Sequence, residues 1–261
     1  MELKKEILFV IFLLTSGSLF CQESNFKHFP FQVSFVYPVG TNGTHSVSYA
    51  YDFSLNMLTG NTGSIEGFEL GGLLNMNQGN VSGFQVGGLG NMTKGSVSGF
   101  QVGGLFSIGD SLDGMQVSGI LGRCTESEGL QVAGILNTSA SAKTSIAGIA
   151  NINAGTQKGL QVAGIYNQTK ELNGLQIGLI NKTDTVSKGI AIGLINLIAK
   201  GYYDEWTFSV ADYMNLGISY KLGLKQFYTI YTVGMNLIED QLWVGGLGVG
   251  HLNEVNPNFS L

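Results

Sequence analysis

Side chains that could do chemistry are few in this sequence and lie far apart. The three histidines, His28, His45 and His251, have no metal-ligating neighbour at a useful spacing, which argues against a zinc site. The adjacent acids Asp204 and Glu205 are typical of solvated loop charges rather than of paired catalytic carboxylates. No serine lies in a Gly-x-Ser-x-Gly elbow between a strand and a helix. We therefore predict no catalytic residues and no enzymatic turnover.

Glycine-rich phrases also fail to form known cofactor motifs. No Gly-Lys-Ser/Thr follows them, so no phosphate loop is predicted, and residues 245–250 read as a strand without a following helix. Ladder calcium sites would need an aspartate in every turn, whereas Asp110, Asp113 and Asp184 are only occasional. Arg123 is the only arginine, and no basic stripe could follow a phosphate backbone. We expect no cofactor, no metal and no nucleic-acid partner.

The composition indicates what kind of structure must position these residues. Of 261 residues, 44% are hydrophobic, 12% are charged, 39 are glycine and only 3 are proline. This chain has enough apolar material for a substantial core and too little charge for disorder. The many glycines, without a proline-rich linker composition, indicate repeated tight packing of the backbone.

The N-terminus reads as a secretory signal peptide over residues 1–21. Lys4 and Lys5 precede the apolar run 7–14, and small or polar residues follow it. We expect the mature chain to begin at Gln22. Acylation of Cys21 is the alternative, but the large Phe20 before it is unfavourable. Either way Cys124 has no partner for a disulfide within the mature chain.

From residue 67 one phrase recurs nine times without a break. Successive copies are offset by 16, 16, 15, 15, 14, 16, 15 and 15 residues, which indicates one structural unit per copy. The copies are GFELGGLLN, GFQVGGLGN, GFQVGGLFS, GMQVSGILG, GLQVAGILN, KTSIAGIAN, GLQVAGIYN, GLQIGLIN and GIAIGLIN.

Each copy is predicted to be a β segment followed by a polar turn, because glycines interrupt every apolar run and exclude helix. We interpret the stack as a β-solenoid in which Phe84, Val86 and Leu89 face the interior. A corner at the Gly-Gly or Ala-Gly pair would turn the last of these inward. In the fifth copy this puts Ile135 inside and Leu136 outside.

Stacking in register would also align polar residues as a structural ladder. The ladder asparagines are Asn75, Asn91, Asn137, Asn151, Asn167, Asn181 and Asn196, beside a row of glutamines. Nine coils would make a rod about 43 Å long. Ser107 and Gly122 stand where asparagine is expected, which puts the continuity of the ladder in doubt there. The alternative is an outer-membrane β-barrel of antiparallel strands, in which such a ladder would have no purpose.

The residues before and after the repeats differ from them in composition and in hydrophobic pattern. Residues 22–66 are predicted to be an N-terminal β hairpin or cap, residues 67–201 the nine repeats, and residues 202–261 an aromatic-rich antiparallel β segment. The alternating apolar residues of 47–55 and 216–235 resemble outer-membrane strands, or the soluble sheets that cap a repeat stack. The flanks supply too few strands for a closed barrel. We therefore expect this protein to be a short or truncated member of a longer family.

The repeated G-[FLM]-Q-[VI]-[GA]-G-[LI]-x-N phrase, with G-Y-Y-D-E-W and L-G-x-K-x-F-Y after it, resembles a bacterial family known only as surface-repeat proteins. The resemblance covers roughly residues 30–250. It implies an exported, envelope-associated protein and supplies no enzymatic activity or catalytic residue.

Two functions remain open at this stage. The first is an all-β bacterial surface protein with a structural or binding role, whose rows of Gln, Asn and Thr face an unknown surface partner or polysaccharide. The second is a pore or transport protein of the outer membrane. Both place the chain outside the cytoplasm, in the outer membrane or at the cell surface.

Overall fold

The computed structural model describes residues 26–201, 203–211, 214–236, 243–252, 254–256 and 259–260. The expected signal peptide, its cleavage point and Cys21 lie outside the described residues. Apart from one 3-10 helix at Gly43–Ser48, every regular element of the described chain is a β-strand. None of the helical structure in these residues is long and apolar enough to cross a membrane.

Twenty-one short strands build the larger sheet, and the remaining six lie after it. The strands of the larger sheet are β1 (Lys27–Val36), β2 (Val39–Gly40), β3 (Tyr49–Thr62), β4 (Ser64–Gly71), β5 (Leu74–Asn77), β6 (Val81–Gly87), β7 (Gly90–Thr93), β8 (Ser96–Gly103), β9 (Phe106–Ile108), β10 (Ser111–Ser118), β11 (Leu121–Arg123), β12 (Glu126–Ala133), β13 (Leu136–Ser139), β14 (Ser141–Ala147), β15 (Ala150–Asn153), β16 (Thr156–Ala163), β17 (Tyr166–Leu172), β18 (Leu175–Ile177), β19 (Ile180–Val186), β20 (Ile190–Ile192) and β21 (Ile195–Lys200). The others are β22 (Tyr203–Ala211), β23 (Met214–Leu224), β24 (Phe227–Met235), β25 (Trp243–Gly250), β26 (Glu254–Asn256) and β27 (Phe259–Ser260).

The repeats form a parallel β-solenoid of about ten turns, as the sequence predicted. Equivalent residues of successive copies pair directly: Gln101 of β8 lies opposite Gln116 of β10, and Gln116 lies opposite Gln131 of β12. Because this pairing is parallel, the alternative of alternating antiparallel strands is wrong for the repeats.

One coil has three consecutive segments, which the third copy illustrates. The first segment (96–98) ends at Gly99, whose φ of +130° breaks the longer strand. The second segment (100–103) ends at the corner of Gly104 and Leu105, and the third segment is the short strand β9. A turn then leads to the next coil.

The N-terminal segment belongs to the stack and is not the antiparallel hairpin that we expected. β1 pairs with β3 in parallel, with Phe29 opposite Tyr51, and β3 pairs with β4 in parallel, with Phe53 opposite Phe68. Only the two-residue β2 folds back on β1. Residues 27–62 therefore extend the solenoid although they lack the repeated phrase.

The interior of the coil is the reverse of the expected one. Gln85 and Asn91 are fully buried, whereas Phe84 is 53% exposed and Leu89 is 43% exposed. In the fifth copy Ile135, expected inside, is 42% exposed, and Leu136 is only half-buried. The physical reason is the strand alternation: Gln and Asn share the enclosed face of their strands, and the apolar residues next to them must point out.

Most of the larger buried apolar side chains lie behind the first segment, although Ala191 of a second segment and Ile198 of a third segment are also buried. Tyr51, Ile65 and Val81 form one buried cluster there. Val97, Leu112 and the unpaired Cys124 form the next. Elsewhere the second and third segments enclose amides, so the apolar core is a narrow strip along one side of the rod.

A four-stranded antiparallel sheet of β22, β23, β24 and β25 follows the solenoid, which confirms the flanking antiparallel strands expected at this end. Trp206, Tyr220 and Tyr231 lie in one row across it, because Trp206 pairs with Tyr220 and Tyr220 with Tyr231. The opposite face is mixed: it carries the ion pair of Lys221 and Glu205 at 3.1 Å and also Ile230.

Candidate functional site

The predicted asparagines hydrogen-bond from coil to coil inside the rod. Asn75 Nδ2 donates to Asn91 Oδ1 at 2.9 Å and to the carbonyl of Val86 at 2.8 Å, so both amide hydrogens have acceptors. The Val86 carbonyl lies just before the corner. Each asparagine therefore joins two coils and supplies a donor at the bend. The remaining links run Asn137 to Asn151, Asn151 to Asn167 and Asn167 to Asn181, each at 3.0 Å, and Asn181 to Asn196 at 2.9 Å.

Small residues in the phrase make room for these amides. A Cβ on Gly71 would lie 2.2 Å from Asn75 Oδ1, and within the repeats this column holds only Gly, Ala or Ser, whereas Asn56 occupies it in the preceding coil. The second glycine of the pair meets backbone instead, since a Cβ on Gly104 would lie 2.0 Å from the carbonyl oxygen of Gly88 in the previous coil. Side chains there are excluded by the coil spacing itself.

The glutamines form a second internal row. Gln101 Nε2 donates to Gln85 Oε1 at 2.7 Å, Gln116 to Gln101 at 2.8 Å and Gln131 to Gln116 at 3.1 Å. The row stops at Ser145, and Gln131 Oε1 is left buried without a hydrogen-bond partner in the described structure.

The two rows are interrupted in different coils. The asparagine ladder lacks its amide at Ser107 and Gly122, and Asn137 Oδ1 consequently has no partner among the described residues. The glutamine links cross that part of the stack intact. Where the glutamine row fails at Ser145, the link from Asn137 to Asn151 is present. Neighbouring repeats from residue 67 to 196 thus share at least one side-chain amide link.

Glu69 occupies a glutamine position in the first copy and is fully buried. Its Oε1 accepts from Ser54 and Asn56, and its Oε2 accepts from Asn77 at 2.8 Å and Gln85 at 2.7 Å. Burial raises the pKa of Glu69, although all four hydrogen bonds act in the opposite direction. Through these hydrogen bonds Glu69 is part of the buried amide network. Its side chain has no exposed surface, so no open cleft reaches it.

The amide rows therefore do not face a partner. The ladder asparagines and the glutamines are all enclosed, each at most 1% exposed. A polysaccharide or protein at the outer surface would meet other side chains, so this part of the sequence-based interpretation is wrong.

The outer surface of the second segment and corner is an apolar face. One residue at each corner, Leu or Ile, is 38% to 48% exposed in nine consecutive copies. These corner residues are Leu73, Leu89, Leu105, Ile120, Ile135, Ile149, Ile165, Leu179 and Leu194. Beside them Phe84 and Phe100 stack with ring centroids 5.1 Å apart. We call the outward side chains of the second segment and the corner the apolar face; no charged residue lies among them.

Charged side chains lie along the two margins of the apolar face. Lys143 and Lys158 lie where the second segment begins, and Lys158 forms an ion pair with the exposed Glu128. The other margin is the outward column of the third segment, where Arg123 lies opposite Ile108 and Lys182 lies opposite Leu197. The same column exposes Met92, Ile152 and Leu197, so the third segment is a mixed apolar and charged surface.

The antiparallel sheet has an apolar face of its own. Trp206, Phe208 and Val210 of β22 are 63%, 73% and 80% exposed, and Trp243 of β25 is 68% exposed. One end of this face contacts the last coil, where Thr229 Oγ1 donates to the carbonyl of Gly193 at 3.1 Å and Tyr231 donates to that of Leu194. A groove of about 410 Å³ beside this contact is lined mainly by apolar residues, namely Ile192, Leu194, Phe227, Leu247 and Val249, with Gly193, Thr229 and Gly248.

A cluster of titratable groups that the sequence analysis missed lies on the first coils. His28 Nε2 is 2.9 Å from Asp52 Oδ1 and 3.7 Å from Glu66 Oε2. All three are exposed, and the hydrogen bond that His28 donates to Asp52 raises the pKa of His28. His45 and His251 are not part of the cluster. Cys124 is buried, and that burial raises the pKa of its thiol to about 12.

No family model, no curated protein and no solved structure matches this chain. The geometry of its own residues is thus the basis for any functional argument. Its distinctive features are a closed amide interior and an apolar outer surface that repeats from coil to coil.

Proposed function

We propose that this chain is an exported, non-enzymatic bacterial surface protein with a structural or binding role. The observation that carries the proposal is the repetition of one outer surface over nine consecutive copies. A surface that repeats every 15 or so residues along a rod is suited to an extended partner rather than to one small substrate.

Two further features support this role. Glu69, the fully buried acid of the first copy, is held by four hydrogen bonds within the interior, an arrangement that joins coils. The amide rows give the rod internal links over its length, as a spacer or scaffold would need. The export part of the proposal is supported by the order of charged, apolar and small residues before Gln22.

Protease treatment of intact cells tests the proposal. The full chain is expressed in a Gram-negative host, and N-terminal sequencing is expected to find Gln22 as the first residue. Externally added protease should remove the chain from intact cells while a periplasmic marker survives. A chain that keeps Met1 and resists protease until the cells are lysed would refute surface location. Turnover abolished by a single His, Asp or Ser substitution would refute the non-enzymatic role.

A further inference from the structure

We propose that the solenoid lies lengthwise in the surface of a lipid bilayer, with its apolar face among the acyl chains and its charged margins at the headgroups. The inference deepens the proposed function. It rests on that function in one respect only, namely that the chain must reach a membrane. It names the extended partner of the repeated surface as a lipid surface rather than a protein or a polysaccharide.

The apolar face is as large as the largest apolar patches that soluble monomers ordinarily expose. Nine corner residues at a coil spacing of about 4.8 Å extend over roughly 40 Å. With a second segment about 15 Å wide, the face covers on the order of 600 Å², at the upper end of the largest patch on a typical monomer. The apolar residues of the third segment, such as Met92 and Leu197, add to that area.

The shape of this surface favours a fluid occupant over a second copy. Side chains that point outward from the second segment, the corner and the third segment of one closed coil, such as Phe84, Leu89 and Met92, point in different directions. A flat protein surface would cover one of these segments and leave the others in water. Acyl chains can surround a convex apolar surface without a matching shape.

The antiparallel sheet adds a second argument for the same occupant. Its apolar face meets the corner of the last coil at Leu194, and a groove lined mainly by apolar residues continues between them. Two surfaces of different architecture, a parallel rod and an antiparallel sheet, are thus continuous. Trp206 and Trp243, both more than half exposed on that sheet face, are the residue type that lipid–water interfaces favour.

The polar groups of the solenoid are arranged so that hydrocarbon could contact it. Each coil hydrogen-bonds its backbone to its neighbours, and the amides that complete the corners are inside, as with Asn75 and the Val86 carbonyl. Unpaired backbone groups would otherwise be costly in lipid. The long side chains of Lys143, Lys158 and Lys182 at the margins can place their charges at headgroups while their stems cover apolar surface.

Vesicle flotation with the full chain purified from the exporting host tests the inference. The vesicles contain phosphatidylethanolamine and phosphatidylglycerol, and wild-type protein is expected to float with them at physiological salt. The triple variant Ile120→Ser, Ile135→Ser, Ile149→Ser removes three half-exposed corner side chains. We expect each to weaken partitioning about fivefold, and the three together about a hundredfold.

A matched triple variant provides the control. Thr125→Ser, Ala140→Ser and Ala154→Ser change three exposed residues in the turns of the same middle coils, outside the apolar face and its charged margins. Their effect on partitioning is expected to stay within about threefold, since no apolar contact is removed. Equal loss in both triple variants, or flotation of the corner variant at the wild-type level, would overturn the inference.

Photolabelling of the wild-type protein keeps the test independent of variant folding. A phospholipid with a diazirine in its acyl chain should label peptides containing Leu89, Leu105 and Ile165, but not the turns. Labelling absent from the solenoid, or a stable dimer that does not float, would contradict the inference. If the protein floats with vesicles but is not displayed at the cell surface, the result would count only against the proposed function.

Discussion

Replacing Asn151 by leucine tests the inverted interior most directly. Asn151 is 1% exposed, and its Nδ2 donates to the Val162 carbonyl at 2.6 Å and to Asn167 Oδ1 at 3.0 Å. Its Oδ1 accepts from Asn137 at 3.0 Å. Leucine has the same branched shape, with bulkier methyl groups, but makes none of these three bonds. At about 1 kcal/mol for each bond, with a further penalty for the acceptors left unpartnered, we expect a loss of about 3–5 kcal/mol.

The neighbouring residue supplies the matched control. Ile152 lies in the same strand β15, is 37% exposed, and points to the opposite side. We expect Ile152→Asn to cost about 0.5 kcal/mol or less. Thermal unfolding followed by circular dichroism should therefore lower the Tm by about 10 °C for Asn151→Leu and by 1–2 °C for the control.

The usual hydrophobic pattern predicts the opposite order. If Ile152→Asn proves more harmful than Asn151→Leu, the apolar side chains are inside, and the assignment of the two faces is wrong. A urea titration of both variants should agree with the thermal result, with similar m-values if the same coils unfold.

Three further substitutions follow from individual contacts. Gly104→Ala should destabilise by about 2–4 kcal/mol in urea unfolding, because its Cβ would lie 2.0 Å from a backbone oxygen, whereas Gly245→Ala, with open space around it, should change stability by less than about 0.5 kcal/mol. Gly122→Asn should stabilise by about 1 kcal/mol in the same assay, because the Asn137 side chain can shift from its 2.5 Å approach to the new Cβ and its unpaired Oδ1 can accept from the new amide; a loss of stability would show that the interior cannot accommodate it. Glu69 has a raised pKa, so its protonated form stabilises the fold below the ordinary value of 4.5, and that contribution is lost as the pH rises through the folded-state pKa. Glu69→Gln should therefore gain stability relative to wild type as the pH increases from 4 to 7, and a pH-independent difference would contradict this.

The period of the repeats predicted one structural unit per copy, and the aligned asparagines favoured a solenoid over a barrel. Offsets of 14 to 16 residues indicated one coil per copy, and the identity of residues such as Gln101 and Gln116 fixed their register. The sheet after residue 202 followed from the alternation in 216–235. The N-terminal coils could not be predicted in this way, because β1 and β3 stack without sharing the phrase.

Alternation alone could not determine which face of the strand is enclosed. It separates Gln85 from Phe84 and Val86, and general hydrophobicity then favours burial of the apolar pair. The sequence did contain a signal for the correct choice: within the repeats the column before each corner is always Gly, Ala or Ser, as the amide of Asn75 beside Gly71 requires. The cluster of His28, Asp52 and Glu66 was missed because coil stacking, not sequence spacing, brings its members together.

The offset between the two interrupted amide rows bears on how the rod responds to force. At Gly122 the asparagine tie is missing but Gln116 and Gln131 remain joined, and at Ser145 the situation is reversed. Every pair of neighbouring repeats is therefore joined by at least one of the two kinds of side-chain amide hydrogen bond. Under tension along its axis the rod therefore has no preferred plane of fracture among its repeats. A pulling experiment should show rupture distributed over many coils rather than one recurrent break.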